Sequence, residues 1–201
     1  DEPALVCRWR MSNKKVPMLN RHIRALSERL VQGEPLTHNM LSWAKQHVEW
    51  SLAEGDYTAH DGVLMLVIDV NGNAAMTVGE YEPLADTSAK ALRARSAEAR
   101  SEADETGVAP ELLASVNDGE LAFVAPADEC LCGTATLIEQ LAQTKGISVT
   151  RVDIPAQLKG ALFLVSDEHG VVPAADADAA EADAAMVTFF ADGYEKLRAR
   201  R

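Results

Sequence analysis

The chain has 201 residues, of which 47% are apolar and 25% charged, an ordinary composition for a globular protein. Its formal net charge of −12 at pH 7 argues against nucleic acid as a partner, because no basic stripe is present to neutralise a phosphate backbone. Apolar runs such as residues 63–68 are far too short to span a bilayer, so no membrane partner is expected.

The three cysteines are Cys7, Cys130 and Cys132. An odd count without a disulfide framework favours a reduced, cytoplasmic protein. The Cys-x-Cys spacing of the last two is not that of a zinc site, and no metal site is predicted.

The first elements alternate between strand and helix patterns. Alternating apolar residues predict a strand over residues 4–11, and polar residues 12–15 predict a turn. From Asn20 the apolar residues recur at helical spacing, and Gly33 is expected to stop this helix.

A second helix and a hairpin follow. Thr37 is the expected N-cap of a helix that ends near Gly55. A β-branched run at residues 63–70 meets Asn71-Gly72, a strong hairpin signal, before a returning strand at residues 75–78. The first eighty residues therefore predict an α+β layer.

A linker at residues 80–84 predicts a domain boundary, with an N-terminal α+β domain over 1–82 and a C-terminal one over 83–201. An exposed, charged helix is expected over residues 87–105. Beyond it, Asn117-Asp118-Gly119 predicts a second hairpin. The remaining expected elements are a helix at 134–145, strands at 147–152 and 161–165, and a last helix at 186–197. The low-complexity stretch at 174–185 is expected to be a solvated loop or a weak helix.

Two turns place small, hydrogen-bonding residues at the junction between one secondary-structure element and the next. The first is Cys132-Gly133-Thr134-Ala135, at the start of a helix, and the second is Ser166-Asp167, at the end of a strand. Backbone amides exposed in this way can hold a phosphate.

The order of these turns and strands resembles the C-terminal half of the fold-type IV pyridoxal-phosphate enzymes, the class IV aminotransferases and aminodeoxychorismate lyases. The resemblance implies an α+β, two-domain class IV aminotransferase-like fold. It also implies a pyridoxal phosphate cofactor and a transferase or lyase activity on an amino acid or amino-chorismate. A homodimer is expected, since Trp43 and Trp50 give one helix a large apolar face that packs in a core or in a dimer interface.

The resemblance also carries site residues. Lys90 lies where the family has the lysine that forms an aldimine with the cofactor. An arginine of the first helix and the two phosphate turns complete the implied cofactor site. The implied cofactor-binding residues are Arg24, Gly133, Thr134, Ala135, Ser166 and Asp167.

Several residues depart from the family pattern. Ala122 stands where the family has the glutamate that holds the pyridine nitrogen, and Arg24 comes one residue early, with Ala25 at the family's position. Asp167 would bring a negative charge to a phosphate. The alternative is therefore a degenerate, cofactor-free member that acts as a binding or assembly protein. A third interpretation is a hydrolase in which Cys132, at a helix start, has a lowered pKa and acts as nucleophile.

Overall fold

The protein is described by a computed structural model that covers residues 2–55 and 61–200. Strands and helices are mixed along the chain, and nearly all strand pairs are antiparallel, as expected for an α+β fold. In chain order they are β1 (Pro3–Ser12), α1 (Leu19–Ser27), β2 (Leu30–Val31), β3 (Glu34–Pro35), α2 (His38–Glu54), β4 (Asp61–Asp69), β5 (Ala74–Glu80), α3 (Ala89–Thr106), β6 (Leu112–Asn117), β7 (Glu120–Val124), α4 (Gly133–Thr144), β8 (Val149–Val152), β9 (Ala161–Ser166), β10 (Gly170–Pro173) and α5 (Glu181–Arg198).

The first sheet is antiparallel, with the strand order β1-β4-β5. Alternate residues of β4 point inward, because successive side chains of a strand lie on opposite faces. α2 buries Ala44, Val48 and Leu52, which are four residues apart and so share one face of the helix. These side chains meet the inward face of the sheet and form one apolar core.

The second sheet has the order β10-β9-β6-β7-β8, and only its β7–β8 pair is parallel. Both faces are covered, which explains why every residue of β9 is buried. Phe163 lies on the face that packs against α4 and α5, whereas Leu164 lies on the face that packs against α3.

β1 connects the two sheets without merging them. The amide of Val6 donates to the carbonyl of Gly107 at 3.2 Å, and the amide of Arg10 donates to the carbonyl of Asp167 at 3.1 Å. Gly107 ends α3 at a φ of +70°, and a Cβ on it would lie 1.8 Å from the carbonyl oxygen of Ala4. Only glycine fits this close approach. The division into domains 1–82 and 83–201 stays a prediction.

Most predicted elements are confirmed, and two boundaries are wrong. The helix expected to run to Gly33 ends at Ser27, because Leu30–Val31 pairs with Glu34–Pro35 around a turn with positive φ at Gln32 and Gly33. The last helix begins at Glu181, five residues before its expected start at Met186, inside the stretch expected to be a solvated loop or a weak helix.

Of the two placements expected for the α2 tryptophans, the core is wrong and the dimer interface stays a prediction. Trp43 is 42% exposed and Trp50 is 65% exposed, since the face of α2 that packs on the sheet is the one that carries Ala44 and Val48. Within the part of the chain described, no helix is long and apolar enough to cross a membrane.

Candidate functional site

The start of α4 is the centre of the candidate site. Its N-cap, Cys132, makes no side-chain cap hydrogen bond, so a more distant group serves instead. Asp167 Oδ1 accepts hydrogen bonds from the Thr134 amide at 2.9 Å and from the Thr134 hydroxyl at 2.8 Å. Thr134 is fully buried. The carboxylate of Asp167 thus lies where the partial positive charge of the helix attracts an anion.

His22 of α1 lies against the same carboxylate. Its ring stacks on Trp9 with centroids 5.3 Å apart, and its Nδ1 is 3.6 Å from Asp167 Oδ1. A Cβ on Gly133 would lie 2.5 Å from this Nδ1, so glycine is required where α4 passes the ring. Burial lowers the pKa of His22, and the Asp167 carboxylate opposes this shift only in part.

The second predicted turn is closed by its own hydrogen bonds. The Ser166 hydroxyl accepts from the amide of His169 at 2.7 Å, and Ser166 is buried. The carbonyl of Asp167 accepts from the Arg10 amide of β1. The structure therefore brings Thr134, Ser166 and Asp167 together, but they are engaged with one another and with β1.

A layer of ion pairs fills the space between β1, α3 and this turn. Arg8 donates from Nη1 to Glu102 at 3.1 Å, and Arg95 Nε lies 2.9 Å from Glu111 Oε1. Glu168 Oε2 lies 3.9 Å from Arg95. Burial raises the pKa of Glu111, opposed by the charge of Arg95. This layer closes the region beside the turn with paired charges.

His169 is held neutral by its partners. Arg95 can only donate, and its Nη2 is 3.1 Å from Nε2 of His169, so that nitrogen accepts. The other ring nitrogen shares a 3.0 Å hydrogen bond with the Tyr81 hydroxyl. Burial, followed by the charges of Arg95 and Arg10, lowers the pKa of His169 to about 4.

The expected activation of Cys132 is wrong. Burial, together with the charge of Asp167, raises the pKa of the Cys132 thiol well above its ordinary value. The thiol is therefore protonated and a poor nucleophile, and the hydrolase interpretation is dropped. Ala135, one of the implied cofactor residues, is fully buried in the core beneath α4.

Lys90 lies apart from the two turns. It is exposed on the first turn of α3, where the amide of Ala89 donates to Asp176 Oδ1 at 2.7 Å. Asp176 follows β10 at the open end of the β9–β10 hairpin, whereas Asp167 lies in the turn at the closed end. The structure thus does not bring Lys90 to Thr134 or Ser166.

The other implied residues also lie outside the group. Arg24 is exposed on α1, while its neighbour Arg21 donates to the Thr136 hydroxyl at 3.1 Å. Ala122 is paired with Ser115 and Thr150, so no slip of register brings the carboxylate of Glu120 to its position.

Sequence reasoning missed His22, Arg95, Glu111 and His169. A signal existed for His22, which lies four residues before Leu26 on the buried face of α1. The sequence spacing of Arg95, Glu111 and His169 does not indicate a site, because these residues meet only through tertiary contacts. Over residues 2–55 and 61–200, no cluster of His, Cys, Asp and Glu side chains is suited to a metal ion.

None of the known family models matches the sequence, and a comparison with curated proteins gives no match. Several solved structures are similar in fold. A hypothetical aminotransferase from Mycobacterium tuberculosis in its apo form is 14% identical with a TM-score of 0.65, covering 98% of this chain and 89% of that one. Its form with alpha-ketoglutarate and PMP bound is 15% identical with a TM-score of 0.63, covering 94% of this chain and 88% of that one.

Two further structures widen the comparison. A putative branched-chain amino acid aminotransferase from Thermotoga maritima is 14% identical with a TM-score of 0.62, covering 96% of this chain and 86% of that one. A putative 4-amino-4-deoxychorismate lyase from Legionella pneumophila is 11% identical with a TM-score of 0.61, covering 94% of this chain and 90% of that one. The expected class IV aminotransferase-like α+β fold is confirmed, whereas its division into two domains stays a prediction.

Proposed function

We propose that this chain is a cofactor-free member of the class IV aminotransferase fold that acts by binding or assembly. The fold alone is compatible with a pyridoxal-phosphate-dependent aminotransferase or lyase. A fold does not fix an activity, however, so the choice depends on the site. The observation that carries the proposal is the Asp167 carboxylate on the first turn of α4.

The turns do not fit the phosphate of the cofactor. The Thr134 amide and hydroxyl, which would hold it, already donate to Asp167. A phosphate there would meet the Asp167 carboxylate at close range, and like charges repel strongly where water is excluded.

The space beside the turns does not fit the rest of the cofactor. Two cavities border both Cys132 and Asp167, and each has a volume of about 20 Å³. Sites for small organic ligands have volumes of roughly 300–1,000 Å³. Each cavity is thus large enough for a water molecule and too small for a pyridine ring.

The chemical groups are not assembled either. The exposed Lys90 amine lies at the other end of the β9–β10 hairpin from the turn, and Ala122 offers no carboxylate to a pyridine nitrogen. We therefore assign no step of pyridoxal chemistry to this site.

Borohydride reduction in the presence of pyridoxal phosphate, followed by peptide mass mapping, tests this proposal. We expect labelling spread over exposed lysines or none at all. The Lys90→Arg variant should give the same labelling at every other lysine as the wild type. Lys159→Arg is the matched control, because Lys159 is also exposed and has no assigned role. Selective labelling of Lys90, with an aldimine absorption band that Lys90→Arg loses and Lys159→Arg keeps, would overturn the proposal.

For assembly, we propose a homodimer that uses the exposed face of α2. Trp43 and Trp50 are seven residues apart on this face, and His47 stacks on Trp43 with ring centroids 4.8 Å apart. Tryptophan is enriched where proteins associate. Sedimentation should give a dimer at micromolar concentration for the wild type and a monomer for Trp50→Glu. A wild-type monomer would refute this part of the proposal.

A further inference from the structure

The first turn of α4 has the donors of an anion site, and a group of the chain itself occupies it. We propose that Asp167 is an intramolecular anion that closes this site to external oxyanions, and that removal of its carboxylate opens the site to a small oxyanion. This inference rests on the proposed function. Its test uses formate and inorganic phosphate rather than pyridoxal phosphate, so that the two can fail separately.

The donors converge on one oxygen. Asp167 Oδ1 receives the Thr134 amide at 2.9 Å and the Thr134 hydroxyl at 2.8 Å. Both distances are those of well-formed hydrogen bonds, and the acceptor is a carboxylate oxygen. Because Thr134 is fully buried, these donors have no alternative in bulk water. A variant without the carboxylate leaves two buried donors that a small anion can satisfy.

His22 supplies a second, independent indication of an anion site. Its ring is 2% exposed, and its Nδ1 has no hydrogen-bond partner among the described residues. This atom lies 3.6 Å from Asp167 Oδ1 and beside Gly133 at the helix start. It is thus a polar atom directed at the same position as the Thr134 donors, and it can reach an oxyanion that sits closer to it.

The backbone holds Asp167 in this role. Its carbonyl accepts from the Arg10 amide of β1, and the adjacent Ser166 hydroxyl closes the turn onto His169. These bonds do not involve the carboxylate, so the turn is expected to keep its form when the side chain is shortened. In Asp167→Ala the turn and the start of α4 therefore form a preformed anion site that lacks only the carboxylate oxygen as acceptor.

The experiment compares wild type with Asp167→Ala. Sodium formate, the nearest small equivalent of the excised carboxylate, should raise the melting temperature of Asp167→Ala in a saturable way, whereas sodium chloride at equal ionic strength should not. Saturable binding of the native state alone produces this shift. Wild type should respond equally to the two salts. In an ¹⁵N spectrum of wild type, the Thr134 amide should not move on titration with inorganic phosphate.

Two matched controls sharpen the result. Asp167→Asn fills the same space and keeps an acceptor oxygen, so formate should not stabilise it. Asp192→Ala removes one exposed carboxylate from α5 and controls for the change in net charge. If Asp167→Ala does not fold, Asp167→Ser opens most of the same space with a hydroxyl in place. Equal responses to formate and chloride in the opened variant, or a saturable phosphate shift of Thr134 in wild type, would overturn the inference.

Discussion

The stability of Asp167→Ala follows from the contacts of the carboxylate. This side chain, rather than a residue next to the helix, caps α4, because the Cys132 N-cap makes no cap hydrogen bond. Alanine at this position removes the acceptor of two hydrogen bonds and the negative charge at the start of α4. Thr134 is fully buried beneath this carboxylate, so its two donors lose their protein acceptor and can be satisfied only by a water molecule or a small anion that enters the opened space.

The expected loss of unfolding free energy is about 3 kcal/mol. A helix cap contributes about 1 kcal/mol, a partly buried charge at a helix end up to about 2 kcal/mol, and each buried donor left without a partner costs about 1–3 kcal/mol. These contributions describe the same contact from different sides, so they overlap and are not summed. Asn keeps an acceptor oxygen without the charge, and Asp167→Asn should lose about 1 kcal/mol.

Urea denaturation followed by circular dichroism measures these differences, and the m-value should stay constant. For a chain of this size, 3 kcal/mol corresponds to a fall in melting temperature of about 6–12 °C. Asp192→Ala should stay within about 0.5 kcal/mol of wild type, as a surface substitution does. A loss below about 0.5 kcal/mol for Asp167→Ala would refute the assignment of Asp167 as the cap of α4.

Three further predictions concern other buried groups. Asp183→Ala should lose about 2 kcal/mol in urea, because its carboxylate accepts two amide hydrogen bonds of the β6–β7 turn at 2.9 and 3.0 Å; a loss under about 0.5 kcal/mol would contradict this. Since the pKa of His169 is lowered to about 4, its stabilising contribution is complete above pH 6.5 and declines as the pH falls toward 4. His169→Gln should flatten this part of the stability profile, and an unchanged slope would count against it. With a thiol reagent, the exposed Cys130 should react fast. The buried Cys7 and Cys132, whose pKa values are raised, should react only on unfolding. Two fast-reacting thiols in the native protein would contradict this prediction.

Local signals in the sequence predicted most of the fold. Thr37 caps α2 by accepting from the Met40 amide, as a threonine before an apolar run indicates. Asp118 and Gly119 both adopt positive φ in the β6–β7 turn, which is the conformation that this residue pair favours between strands. Such signals depend only on neighbouring residues, so a sequence is enough to detect them.

The site was predictable only in part. Thr134 and Asp167 were selected from their turns, and the sequence warned that the charge of Asp167 opposes a phosphate. The hydrogen bond between them joins residues 33 positions apart, and its geometry depends on how the end of β9 and the start of α4 come together. The position of Lys90 depends likewise on the direction of α3 across the sheet, which no local pattern records.

The carboxylate of Asp167 occupies the anion position at the start of α4. A crystal structure of the wild-type protein, grown in phosphate with pyridoxal phosphate added, tests it most directly. We expect the Asp167 carboxylate within hydrogen-bond distance of the Thr134 amide and hydroxyl, with no phosphate between them and a free Lys90 amine. A phosphate group bound to the Thr134 amide, with Asp167 turned away and Lys90 bonded to the cofactor, would contradict it.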